Sequence, residues 1–203
     1  MNLRLLKQLL AVPTYSRHED RMVAFLVEHI RQRGTGRCGH VSADEHNNAF
    51  IVKGDARFMP CVAAHIDSVY NWNDVEIVQQ DGTLAGLDRN GRQTGIGADD
   101  KCGVFICLEL LERFENITVA LFAAEEVGCV GAFKADAKFF DQVGYVVEFD
   151  CPGSGILSYS AGGEQLFANR GEFIETALPV VTDHGLIHWQ RHPYSRAGAG
   201  ATH

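Results

Sequence analysis

The chain has no Cys-x-x-Cys pair, no internal repeat, no low-complexity tract and no long linker. No stretch approaches the roughly 20 apolar residues that a membrane span requires. The missing cysteine pairs exclude a zinc ribbon and a thioredoxin-like redox motif. Cys38, Cys61, Cys102, Cys107, Cys129 and Cys151 read instead as reduced thiols, most simply as small buried hydrophobes. Basic residues are also in deficit, with 18 Lys and Arg against 26 Asp and Glu, a net charge of -8. That balance argues against a nucleic-acid or anionic-membrane partner and suits a cation. The leucine-rich segment from Met1 to Leu10 is interrupted by Arg4 and Lys7, too broken for a secretion signal, and a cytoplasmic protein is expected.

What remains is an ordinary globular composition, 46% hydrophobic and 22% charged over 203 residues. It favours one domain with a sizeable core. Met22, Leu26 and Ile30 recur four apart and predict an amphipathic helix over Arg21 to Ile30. Asp81-Gly82 and Asn90-Gly91 predict a hairpin excursion from Val75 to Leu87. Val104 to Phe114 is apolar on nearly every side and predicts a buried helix; Ala132 to Phe140 predicts another. Ala49 to Val52, Cys61 to His65, Ile117 to Ala124 and Gly144 to Phe149 are strand candidates. Apolar strands separated by helices give an α/β fold, a mostly parallel mixed sheet covered by helices on both faces. The expected catalytic domain runs over 1–194, with 195–203 an irregular tail.

Four polar segments interrupt or end these apolar runs: His65-Ile66-Asp67, Gly97-Ala98-Asp99-Asp100-Lys101, Glu125-Glu126-Val127-Gly128 and Glu148-Phe149-Asp150. Each has an ordinary structural explanation, as a strand-end turn or a helix cap. Together they are harder to dismiss, because ligands in open α/β sheets bind beyond the carboxyl ends of the strands. Alternation puts His65 and Asp67 on one face, so that Asp67 could orient an imidazole that binds metal through its other nitrogen. Two adjacent aspartates exceed what capping needs. Of two adjacent glutamates, one could bind metal while the other acts as a general base.

In that order the motifs resemble the di-zinc exopeptidases and related amidohydrolases, the peptidase T, glutamate carboxypeptidase and bacterial leucyl aminopeptidase groups. The resemblance covers about Leu3 to Asp150. It implies that Asp99 bridges two divalent ions, most simply Zn2+ with Co2+ or Mn2+ as alternatives. It implies His65 and Asp150 on one ion, Glu126 on the other, Glu125 as general base and Asp67 as a clamp on His65. A short peptide is the implied substrate. The stretch from His65 to Asp99 and the 53 residues after Asp150 leave no room for the lid domain of many relatives, a layout nearer the leucyl aminopeptidase group. The family's late histidine ligand has no clear counterpart; His184, His188, His192 and His203 are the candidates, or the chain is truncated or altered after about Tyr194. Three functions stay open on these residues: a metal-dependent exopeptidase, an N-acyl amino acid amidohydrolase, and a non-catalytic metal-binding remnant. Oligomeric state is not legible.

Overall fold

The computed structural model describes residues 2–72 and 74–150, together with 160–161 and 164–165. The chain divides into two compact units, 1–150 and 151–203. The four described residues of the second form two short antiparallel strands, Ser160–Ala161 and Glu164–Gln165. The tail 195–203, the late histidines and the end of the expected catalytic domain lie outside the described residues.

The first unit opens with α1 (Leu3–Ala11), where the Asn2 side chain accepts the Leu5 N–H at 3.1 Å. Pro13 holds Val12 extended and ends the helix. α2 (Asp20–Arg33) buries Met22, Leu26 and Ile30, as their spacing predicts, and stops at Gly34, whose φ is 82°. A short α3 (Thr35–Cys38) leads to β1 (His40–Ala43), β2 (Ala49–Lys53) and β3 (Met59–His65). The predicted hairpin forms: β4 (Glu76–Gln80) and β5 (Thr83–Leu87) pair across Asp81 and Gly82, both at positive φ, and β6 (Gln93–Thr94) adds to β5. α4 (Ala98–Arg113), β7 (Ile117–Phe122), α5 (Val130–Lys134) and β8 (Val143–Glu148) complete the unit.

The central sheet has the order β1-β2-β7-β3-β8. Its parallel part is β7-β3-β8; β1 and β2 join it antiparallel. Alternation along the strands splits the core in two. Val62, Ala64, Val119 and Leu121 pack with α1, α2 and α4 on one face. Cys61, Ala63, Ala120 and Phe50 pack with Phe139, Phe140 and Val143 on the other. This is the expected α/β architecture with a mixed sheet, half of its strand pairings parallel, and its edge strand β8 is exposed from Gly144 to Glu148.

The expected helix from Ala132 to Phe140 is instead two pieces. α5 ends at Ala135, in extended conformation, and a 3-10 turn over Ala137–Phe140 follows. Asp136 causes the break: its carboxylate accepts the Lys138 N–H at 3.0 Å and starts a new turn. No helix among the described residues is long and apolar enough to cross a membrane.

Candidate metal centre

Register decides where the polar segments go. His65 pairs with Phe122, and Ala63 with Glu148, so β3, β7 and β8 end on the same rim. Ile66 N–H donates to the Phe122 carbonyl at 2.8 Å and carries this alignment past the strand end. His65-x-Asp67, Glu125-Glu126 and Asp150 therefore leave the sheet side by side.

Asp99 arrives from the other direction, at the entry to α4. Gly97 has φ 59°, and a Cβ there would lie 2.9 Å from Ser68 Oγ and 3.0 Å from the Trp72 ring. Only glycine fits this approach. Asp99 and Asp100 depart from helical dihedrals, and the peptide between them is cis. The two carboxylates then divide the work. Asp100 is buried and accepts the Gly103 N–H at 2.9 Å, three residues on, which is the N-cap contact. Asp99 is left free to face His65.

The result is a tight cluster. His65 Nε2 lies 3.2 Å from Asp99 Oδ1, 3.8 Å from Asp150 Oδ1 and 3.9 Å from Glu125 Oε2. One donor atom from each of His65, Asp99 and Asp150 falls within a span of 4.8 Å. Behind the ring, His65 Nδ1 is 3.3 Å from Asp67 Oδ1, within ion-pair range but without hydrogen-bond alignment. Glu126 is not in this cluster. It lines an adjoining groove that it shares with Asp99.

Charge explains the protonation. Burial disfavours an imidazolium at His65, but contact with Asp67 and Asp99 and the charge of Asp150 outweigh it and raise His65 to about 11. Asp150 is raised to about 7 by burial and by Asp99 and Glu125, although His65 opposes this. Burial also raises Glu126. Asp67 goes the other way: burial resists, and His65, Ser16 and the Glu125 N–H together hold it down.

Several supporting residues escaped the sequence reading. Asp67 is fully buried and accepts from Ser16 Oγ at 2.7 Å, Glu125 N at 2.9 Å and Glu126 N at 3.2 Å. Glu19, also buried, accepts the N–H groups of Arg17 and Ala124 at 2.6 and 3.1 Å. Ala124 is at φ 52°, so this anchor holds the chain in a left-handed turn just before Glu125. Asn48 accepts from Ala123 N and donates to the Gly131 carbonyl, closing the loop from behind. Cys129 donates its thiol proton to Glu125 Oε1 at 3.3 Å. Ser16, Glu19, Asn48 and Cys129 stand in none of the four motifs, and only the fold brings them to the site.

Residues 49–185 match the sequence model of Peptidase family M28, and the match contains all four polar segments. The chain belongs to that family. No curated protein sequence matches it. Among solved structures, a tripeptidase from Staphylococcus aureus is similar with a TM-score of 0.66 at 20% identity, over 78% of this chain and 45% of that one. An aminoacylhistidine dipeptidase from Vibrio alginolyticus gives 0.63 at 20% identity, over 78% and 34%. The TET1 peptidase of Pyrococcus horikoshii gives 0.62 at 13% identity, over 95% and 86%. At these identities the likeness is one of fold. This M28 chain spans less than half the length of the first two.

The donor set fits a divalent cation. A neutral imidazole and two carboxylates on one small volume are borderline ligands of the kind that hold Zn2+, Mn2+ or Co2+. The negative potential that puts a proton on His65 is the potential that would attract such an ion in its place.

Proposed function

We propose that this chain is a metal-dependent exopeptidase acting on short peptides. The observation that carries the reading is the convergence of His65, Asp99 and Asp150 on one cation-sized space, with Glu125 Oε2 at its edge. His65 and Asp150 would hold one ion and Glu126 a second, with Asp99 between them. That arrangement is supported by the groove Asp99 shares with Glu126. A bound divalent ion would supply Lewis acidity toward the scissile carbonyl and toward water. Zn2+ is the proposed ion, and any further ligand from His184, His188, His192 or His203 lies beyond the described residues.

The protein's own residues do the rest. Glu125 accepts the proton of the attacking water and returns it to the leaving amine. Asp67 keeps the imidazole in place behind the site and fixes the Glu125–Glu126 backbone through two N–H groups. Cys129 ties down one Glu125 oxygen and leaves the other facing the site.

The test is a panel of free-amine di- and tripeptides set beside N-acyl amino acids, assayed with Zn2+ and with chelator. Zn2+-dependent cleavage of the free-amine peptides is expected. Cleavage of the acylated set alone would replace the reading with a deacylase, and no turnover of either would overturn it.

A further inference from the structure

Lys101 follows Asp99 by two positions and is completely buried. Its ammonium donates to the Val12 carbonyl at 2.6 Å and sits 4.9 Å from the centre of the Trp72 ring, a cation–π contact. Among the described residues no carboxylate forms an ion pair with it. An ammonium is costly in so dry a place, and a methionine would fill nearly the same space without the charge. The charge stands where three segments of the chain meet.

Val12 closes α1, Trp72 lies in the stretch that follows Asp67, and Lys101 begins the regular part of α4. Residues 68–72 lie flat on residues 95–97. A side chain at Gly95 would collide with the Tyr70 ring, and a Cβ at Gly97 would lie 3.0 Å from the edge of the Trp72 ring. The first stretch leaves His65 and Asp67; the second leads into Asp99. The seat of Trp72 on Gly97 therefore bears on the 3.2 Å separation of His65 Nε2 from Asp99 Oδ1. An apolar contact of ring on glycine has no direction of its own. Lys101 supplies one. Held by the Val12 carbonyl and facing the ring, its ammonium ties Trp72 to the helix that carries Asp99.

We infer that Lys101 is a positioning residue of the metal centre, clamping Trp72 onto Gly97 and so fixing Asp99 against His65. The inference rests on the metal reading of His65, Asp99 and Asp150. Lys101 belongs neither to that cluster nor to the lining of the groove that Asp99 and Glu126 share, so it acts through Trp72 and Val12.

The experiment uses the full chain, freed of metal. Zn2+ calorimetry and the visible spectrum of bound Co2+, which follows ligand number and angles, are compared for wild type, Lys101→Met, Trp72→Leu and the double variant. Lys101→Met should weaken Zn2+ binding about 10- to 100-fold, the usual loss when a ligand's support is removed, and shift the Co2+ bands. Its urea midpoint without metal should stay near that of wild type, because loss of the buried charge offsets loss of one hydrogen bond. Trp72→Leu should weaken Zn2+ binding comparably, and adding it to Lys101→Met should cost little more, since both break one clamp. Unchanged Zn2+ affinity and Co2+ bands in a folded Lys101→Met chain overturn the inference, as do fully additive losses in the double variant. If Lys101→Met does not fold, Trp72→Leu, at a half-buried position, decides alone: the same loss supports the clamp, and wild-type affinity overturns it. A wild-type chain that takes up no Zn2+ removes the metal reading and the inference together, an outcome distinct from the others.

Discussion

Asp67 Oδ1 accepts the Glu125 N–H at 2.9 Å and also lies 3.3 Å from His65 Nδ1. One carboxylate thus sets both the proposed ligand and the proposed base, across 58 positions of sequence. Ligand geometry and base geometry are therefore coupled, and a single substitution should disturb both.

For Asp67→Asn, one amide group must face N–H donors that the carboxylate accepted from two sides. Zn2+ affinity should drop about 10- to 100-fold, the usual effect of losing a residue that orients a metal ligand. Stability should fall by about 1–3 kcal/mol because buried N–H groups lose an acceptor. Metal titration and chemical denaturation check the two effects; unchanged metal affinity would remove Asp67 from its orienting role.

Glu125→Gln keeps the size and one acceptor oxygen but cannot take a proton. Hydrolysis should fall by about 10²- to 10⁴-fold while metal content stays at the wild-type value. Elemental analysis alongside initial rates tests this, and activity within twofold of wild type would rule out Glu125 as the base.

Metal loading should release protons. His65, raised to about 11, is protonated in the metal-free chain at pH 7, and Asp150, near 7, is partly so. Both must lose the proton to act as ligands, so Zn2+ affinity should rise with pH between about 6 and 8. Calorimetry in buffers of different ionisation enthalpy counts the protons. At least one per chain is expected, and a count of zero would contradict the assigned ligands.

Glu19 gives a prediction about folding alone. Burial raises its carboxyl above the ordinary 4.5, ahead of the hydrogen bonds from the Arg17, Glu19 and Ala124 backbone that lower it. The folded chain therefore binds more protons than the unfolded one between 4.5 and the raised value, and stability falls as pH rises through that window. Glu19→Gln keeps an acceptor for Arg17 and Ala124 and should flatten this slope. Glu19→Ala leaves the buried Ala124 N–H unsatisfied and should lose about 1–3 kcal/mol. Urea titrations at a series of pH values separate the two.

The ligand candidates were legible because each polar group stands where an apolar strand ends or a buried helix begins, positions that hydrophobic patterning marks. The hairpin at Asp81-Gly82 was legible for a local reason, since its turn needs positive φ. What escaped detection is non-local. Ser16 reaches Asp67 across 51 positions, Asn48 reaches Ala123 across 75 and Glu19 reaches Ala124 across 105. Nothing in their neighbourhoods distinguishes them from surface polar residues. The division between Asp99 and Asp100 was hidden for another reason: both are aspartates next to a helix start, and only backbone dihedrals show which one caps it.

The family match begins at residue 49, whereas Ser16 and Glu19 precede it. A protein trimmed to residues 49–185 would carry the four polar segments and yet lose the hydroxyl that steadies Asp67 and the carboxylate that holds the turn before Glu125. The region that defines kinship and the region that makes the ligands usable have different borders. The first 20 residues, remote from the metal centre in sequence, belong to its foundations.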